Sequence, residues 1–593
     1  MSRIAPARRL SYQILLQIAT SDAHSDDLLH SPEVDALSPQ DRNLTTTLVL
    51  GTLRWQLALD AQIRGLLARP EAKLSPEAAT ALRMGAYQLL HLDRVPAHAV
   101  LHDSVELVKL GREKSAAGMV NAVLRKIQVA GHTAEGEAAP RLAHPEWMVE
   151  RWVQRYGAER AQAICAWDQE PAGITLRLPQ GSTDVDGIET EPGFLLSCAR
   201  RAVRGDPGRS VAVQTRQVRI QDEASQLVAE IAAAVASQPK RVLDACAAPG
   251  GKTAILAERL PQAKITAVDV SPKRLQAMQR FLPEAISVRL RFEVADAAKL
   301  ELKPEYDLVL CDVPCTGTGT MARNPEIRIR VSEPDLKRQH QRQAAILRAG
   351  LKGLNPGGRL VYSTCSLEPE ENEDVVAEVL RVAPDFTIVP VAGILDRLAE
   401  SGVVTAQGRD RLRSATVGNF LRTLPGIYPC DGFFAAVIEK QSSDPAEAAK
   451  TEGGCCRGKD LEDVAGDKWE NGEGKNSCDG LVGDDAEPGC SAHEDDETAG
   501  ACGEEGRGEF GLRKAAAQGR GECGGEWIGE QIAARGSDEM DKSGGAVGAE
   551  DRQADCAFAE IEDQGCCRGG GREEQAEQKD GEGLQGERDR CEP

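Results

Sequence analysis

From residue 1 to about 130 the apolar positions recur at helical spacing. Leu10, Ile14, Leu15 and Ile18 fall on one face, and Leu44, Leu48, Gly51, Trp55, Leu59 and Ile63 carry the same period onward. Further helices are expected over 78–92, ending before Pro96, and over 100–110 and 116–127, with Ser38 or Asp41 placed to cap the second helix. Residues 1–130 therefore read as an all-α domain. The stretch 131–145 begins polar and poor in apolar residues, and reads as a linker. Residues 146–235 change character. A helical run from Trp147 to Tyr156 is followed by alternation over 173–178, and Gln221–Gln226 then leads into an apolar helix over 227–235. This pattern predicts a small α+β module. From 236 the pattern becomes regular, with strands expected at 241–245, 264–269, 290–295, 306–311 and 358–363 and helical stretches between them. Such alternation predicts an α/β fold, a Rossmann-like parallel sheet with right-handed crossovers and helices on both faces. One more strand, over 432–438, is expected to close a sheet edge.

Composition changes the picture at the C-terminus. The 593 residues carry a formal net charge of −22, which argues against a nucleic-acid partner if spread evenly. It is not spread evenly: about 40 acids against 17 bases lie in residues 441–593, so residues 1–440 are close to neutral. That tail also holds about 30 of the 58 glycines and has no sustained apolar period, so it is expected to be disordered. About ten of the 17 cysteines lie there at irregular spacings, which points to neither a metal site nor a disulfide framework. No run of about 18 apolar residues exists to span a membrane, and the basic N-terminus reads as an amphipathic helix, not a signal peptide. A cytoplasmic protein with reduced thiols is expected.

The chemistry starts at residues 241–252. The strand Arg241–Asp244 runs into a small-residue turn, Ala245-Cys246-Ala247-Ala248-Pro249-Gly250-Gly251, before a helix from about Thr253. Open α/β sheets bind nucleotide-sized ligands at such turns, where glycines let the backbone approach the ligand. Gly251-Lys252-Thr253 copies the end of a phosphate-binding P-loop, but Cys246 stands where that motif needs Gly. A dinucleotide fingerprint cannot be drawn through the turn either. An S-adenosyl-methionine turn and an ordinary strand-to-helix connection both stay open here. The first four strands, however, each end in or just before an acid: Asp244, Asp269, Asp296 and Asp312. Asp269 stands where an acceptor for ribose hydroxyls is expected, and Asp296 where one for an adenine amine is. Any one of them also suits a cap or turn.

The next two strand ends are more specific. Strand four ends in Cys311-Asp312-Val313-Pro314-Cys315-Thr316-Gly317-Thr318-Gly319, and strand five in Tyr362-Ser363-Thr364-Cys365-Ser366. Two cysteines thus reach neighbouring loops at one sheet edge, either as buried small residues or as nucleophiles. Carbon 5 of a pyrimidine accepts a methyl group only after a nucleophile adds at carbon 6, and a thiolate is suited to that addition. An acid contacting N3 and the exocyclic amine stabilises the charge that develops.

These blocks resemble the Sun/Fmu family of RNA (cytosine-C5) methyltransferases. The likeness extends to Gln221–Gln226, to Asp431-Gly432-Phe433-Phe434, and to Val120-Asn121-Ala122-Val123-Leu124-Arg125, which is similar to NusB-like RNA-binding domains. Within the family the arrangement is similar to the RsmB type, which methylates 16S rRNA. The resemblance implies a NusB-like domain over 1–130 and a class I methyltransferase domain over 236–440, and it leaves 441–593 unexplained. It further implies that S-adenosyl-L-methionine is held by Cys246, Ala247, Ala248, Pro249, Gly250, Gly251, Lys252, Asp269, Asp296 and Asp312. Asp312 also reaches the cytosine, Cys365 is the nucleophile, and Cys315 assists proton removal and product release. The implied partner is small-subunit rRNA, bound by a monomer with no metal. Arg323, Arg328, Arg330, Lys337 and Arg338 are expected to line the phosphate path, although Ile329 replaces an aromatic residue usual in that run. Two other readings share parts of this pattern: a non-catalytic RNA-binding assembly factor, and a methyltransferase acting on DNA or tRNA.

Overall fold

The computed structural model describes residues 4–111, 113–132 and 141–442. The acidic stretch expected to be disordered lies outside the described residues.

The N-terminal helices follow the apolar period. Pro6–Thr20, Pro39–Arg54, Gln56–Leu66, Pro76–His91, Ala97–Leu110 and Ala117–Ala130 pack around Tyr12, Leu15, Leu48, Leu53, Leu82, Met84 and Leu124. Ser38 is the cap of the second long helix, its hydroxyl accepting from the Asp41 N–H at 3.1 Å. Two basic residues of these helices turn inward. Arg8 donates to Asp103 at 2.9 Å and to Gln88 at 2.7 Å, and Arg54 is buried and donates to the Ala322 carbonyl at 3.0 Å.

After the helices Glu146–Tyr156 and Ala158–Trp167 comes a small antiparallel sheet. Strands β1 (Thr175–Arg177), β2 (Glu189–Pro192), β3 (Ala199–Arg204) and β4 (Arg219–Ile220) lie in the order β2-β3-β1-β4. The helix Glu223–Val235, capped by Asp222, then leads to the large sheet.

Five parallel strands form the centre of that sheet: β5 (Arg241–Asp244), β6 (Lys264–Asp269), β7 (Leu290–Val294), β8 (Tyr306–Asp312) and β9 (Leu354–Thr364). Their order, β7-β6-β5-β8-β9, reverses direction at β5, which opens a crevice at the carboxyl ends of β5 and β8. Side chains alternate between two cores, as a sheet covered on both faces requires. Val242, Leu308, Leu310 and Val361 face one core, and Leu243, Val309, Cys311, Leu360 and Tyr362 face the other. The last strand, β13 (Phe433–Lys440), runs antiparallel to β9, but it does not close the edge as expected. It pairs on its far side with β12 (Phe420–Thr423) and β10 (Phe386–Val389), and β11 (Thr416–Val417) pairs with β12. Short strands broken by Gly418 and Pro425-Gly426 carry too little pattern to be read from the chain. Among the described residues no helix is long and apolar enough to cross a membrane.

The basic run after Cys315 is placed differently from the expectation. Arg323 sits between Asp431 at 2.8 Å and Asp222 at 3.0 Å. Arg328 is 1% exposed and donates to the backbone carbonyls of Arg54 at 2.7 Å and Asp168 at 3.1 Å. Arg330 donates to the Ala23 carbonyl at 2.6 Å, and buried Glu326 accepts from the N–H and hydroxyl of Ser25. Arg328, Arg330 and Glu326 thus fasten the N-terminal helices to the sheet half, Arg323 ties the sheet half to the segment at 222, and all three arginines are engaged with protein groups. Lys337 and Arg338, in the helix Glu333–Lys352, are the members of the set that stay exposed. Burial brings the Arg328 guanidinium down to about 10, and its charge is met by carbonyl dipoles, not by a paired carboxylate. Arg328→Ala strands those carbonyls in a dry interior, so a loss of at least ~2 kcal/mol is expected. An earlier urea transition and faster proteolytic release of the N-terminal helices are the measurements that check it.

Candidate active site

At the sheet's carboxyl edge the chain ends of β5, β6 and β8 and the turn after β7 come together. Asp244 ends β5, but it is buried and accepts from the Thr253 hydroxyl at 2.6 Å, and burial pushes it up to about 7. It serves the turn and does not line the cleft. Gly250 caps the helix Gly251–Arg259 with φ +108°, a conformation that favours glycine, and a Cβ there would meet Met278 Cγ at 2.7 Å. Asp269, 3% exposed, accepts from the N–H groups of Ser271 at 2.9 Å and Ala248 at 3.3 Å, with the Arg274 guanidinium 3.4 Å away. Asp296 accepts from the Ala298 N–H at 3.1 Å and pairs with Lys299 at 3.3 Å.

Asp312 is held from two sides. Lys252 Nζ lies 2.7 Å from one carboxylate oxygen, and the Ser363 hydroxyl donates to the other at 2.7 Å. The Lys252 ammonium also sits over the Phe433 ring, 4.9 Å from its centre. The Lys252 ammonium is thus spent on a carboxylate, in keeping with the absence of a P-loop pattern in the turn.

The two cysteines meet. Cys315 Sγ and Cys365 Sγ are 3.4 Å apart, both half-buried, on the loops that leave β8 and β9. Their hydrogen bond, followed by burial and the nearby charge of Glu371, holds the Cys315 thiol well above the ordinary thiol range. Either sulfur can be the donor in this contact. The loops are also stitched through their backbones. The Gly319 N–H donates to the Cys365 carbonyl at 2.9 Å, and a Cβ on Gly319 would come within 2.3 Å of the Gly432 carbonyl oxygen.

One cleft is lined by Cys246, Ala248, Asp269, Asp296, Asp312, Cys315 and Cys365, bringing together seven of the residues named from the sequence. Ala247, Pro249, Gly250, Gly251 and Lys252 are not among its lining residues; the first four belong to the turn and the start of the helix after it, and Lys252 holds Asp312. The cleft also takes Val270, Arg274, Ala297, Arg342 and Ile346, which the sequence reading missed. Arg342 and Ile346 come from the helix Glu333–Lys352, four residues apart on one face, and only the tertiary fold reveals what that face meets.

The family model for 16S rRNA methyltransferase RsmB/F matches residues 233–439, that for the NusB family 5–129, and that for the ferredoxin-like domain of RsmF/B-like methyltransferases 144–189. The protein of Bacillus subtilis named "Probable ribosomal RNA small subunit methyltransferase B" is 33% identical over 458 residues, which cover 73% of this chain and 98% of that one. "Ribosomal RNA small subunit methyltransferase B" of Xanthomonas campestris is 34% identical over 423 residues, 68% of this chain and 90% of that one. Among solved structures, that of PH0851 shares the fold with a TM-score of 0.60 at 23% identity, covering 74% of this chain and 100% of that one. With its sheet, its paired loops and nearly the full length of these relatives matched, the chain belongs to the RsmB/F family of 16S rRNA methyltransferases.

Proposed function

We propose that this protein methylates carbon 5 of a cytosine in 16S rRNA, with S-adenosyl-methionine as donor and a transient bond between Cys365 and carbon 6 of the base. The observation that carries the reading is the 3.4 Å approach of the Cys315 and Cys365 sulfurs in a cleft shared with Asp269, Asp296 and Asp312. The names of the relatives support the rRNA substrate. The family's cytoplasmic setting and a monomeric state belong to the same proposal.

The cleft's donor and acceptor set fits the cofactor. Buried Asp269 offers a carboxylate to ribose hydroxyls, Asp296 offers one to the adenine amine, and Ala248 and Ala297 keep the walls small. S-adenosyl-methionine supplies an electrophilic methyl group on a sulfonium. The remaining work falls to side chains. Cys365 adds through its sulfur to carbon 6, which moves an electron pair toward carbon 5. Asp312 accepts from the exocyclic amine, and Lys252, bound to it, sets a positive charge near the ring as negative charge develops there. Once carbon 5 is methylated, its proton must leave and the carbon–sulfur bond must break, returning the electron pair to Cys365. Cys315, in contact with that sulfur, assists this elimination. The base has to leave any local stack for its carbon 6 to reach Cys365. With Arg323, Arg328 and Arg330 occupied elsewhere, the phosphate path falls to the exposed Arg338 and Arg342, four residues apart on one helix face, the second of which lines the cleft.

Cys365→Ala is expected to abolish methyl transfer to undermethylated 16S rRNA, and Cys315→Ala to accumulate a covalent RNA–protein species on denaturing gels. The opposite pattern, adduct with Cys365→Ala and none with Cys315→Ala, would reverse the two roles. Asp269→Ala removes a charged acceptor, so calorimetric titration with S-adenosyl-methionine should show binding weakened by about 10- to 100-fold. Unchanged affinity would place the cofactor elsewhere.

A further inference from the structure

Beneath the two cysteines lies a carboxylate that the mechanism above does not use. Glu371 is 0% exposed and stands in a run of acids, Glu368-Pro369-Glu370-Glu371-Asn372-Glu373, that reads as a solvated surface. In the fold it takes four donors on two oxygens. One oxygen accepts from the Thr316 N–H at 2.9 Å and from Gln343 Nε2 at 3.0 Å, and the other from the hydroxyls of Thr316 and Ser366. Thr316 follows Cys315, and Ser366 follows Cys365. Gln343, itself fully buried, also donates to the carbonyl of Pro314, the residue before Cys315. One buried side chain therefore grips the residues beside both sulfurs.

The two loops do not lean on it equally. The Cys365 loop has further supports outside the pair: Asn372 donates to the Ser366 carbonyl at 2.9 Å and accepts from the Thr364 hydroxyl, while the Leu367 N–H to Thr318 hydroxyl and Gly319 N–H to Cys365 carbonyl bonds, both 2.9 Å, tie the two loops to each other. On the Cys315 side, Thr316 gives both its N–H and its hydroxyl to Glu371, and Gln343, which holds Pro314, is bound to the same carboxylate.

We propose that Glu371 is a positioning residue that sets the separation of the two sulfurs and, through Cys315, the rate at which methylated product is released. The second half of this statement rests on the cytosine reading above; the first half rests on geometry alone. Neutralising Glu371 leaves a group that cannot accept at both oxygens, and the Thr316 side has least to replace it. Attack by Cys365 then suffers less than the elimination that needs Cys315 at contact distance. A displacement of about 1 Å at a reacting group costs up to about 100-fold in rate.

Two measurements on the full-length chain separate the halves. In the first, diamide oxidises the free enzyme: it takes two electrons and two protons from the thiols, becomes the hydrazine, and leaves a 315–365 disulfide quantified by peptide mass mapping. Glu371→Gln is expected to slow this bond at least ~10-fold relative to wild type. In the second, the RNA adduct is followed by quenched denaturing gels. Its half-life should lengthen at least ~10-fold in Glu371→Gln, while S-adenosyl-methionine affinity stays at the wild-type value. Thr316→Val, which removes one of the four contacts and keeps the N–H, should move both rates in the same direction by less, and it stands in if Glu371→Gln fails to fold. An unchanged oxidation rate in a folded variant overturns the proposal, and an unchanged adduct half-life overturns its catalytic half. Should Cys315→Ala itself yield no adduct, the cytosine reading fails, while the oxidation rate still decides whether Glu371 sets the separation.

Discussion

A guanidinium held between two carboxylates joins the parts of this protein that matter to its chemistry. Arg323 lies eight residues past Cys315 and binds Asp222 at the start of the helix Glu223–Val235 and Asp431 at the entry to β13. Burial, with Asp222 alongside, pushes Asp431 up to about 7. Removing the arginine leaves two buried carboxylates facing each other without a counter-ion, so Arg323 is the member the junction depends on. This explains why segments far apart along the chain, around 222, 323 and 431, carry equally distinctive residues although none of the three aspartate and arginine side chains lines the cleft.

The parallel sheet was legible because its strands are short apolar runs with acids at their ends, and both cores draw on alternate residues of the same strands. The cysteine loops were legible as well, since two thiols at adjacent strand ends are hard to explain by packing. What the chain did not disclose is what becomes of its polar residues. Arg54, Arg328 and Glu326 carry the letters of a solvated surface, yet they are buried against backbone groups from distant segments. A charge pattern cannot tell a buried arginine among carbonyls from one that faces phosphate, because the partners are peptide groups that every residue has. Glu371 was hidden for the same reason. Its four donors are Thr, Ser, Gln and a main-chain amide, none of which marks a site by itself.

The cleft shows a division of labour between its rim and its foundation. Asp269, Asp296, Asp312 and the two sulfurs line the rim, while Lys252, Asp244 and Thr253 sit behind it and aim or stiffen what lies in front. Lys252 illustrates the point. The resemblance implies a cofactor contact for it; in the fold it neutralises Asp312 while stacking over Phe433, which couples the first strand's turn to the last strand of the sheet.

The fastening of the N-terminal helices has a consequence for how this enzyme can be cut. Ser25 supplies both the amide and the hydroxyl that Glu326 accepts from, and the Arg54 carbonyl is a principal partner of Arg328. A fragment starting after residue 140 would keep every cleft residue yet leave an anion and a cation with bare flanks, ten or so positions downstream of Cys315. The helical half is thus a structural member of the catalytic half, and the reactive sulfurs are not portable without it.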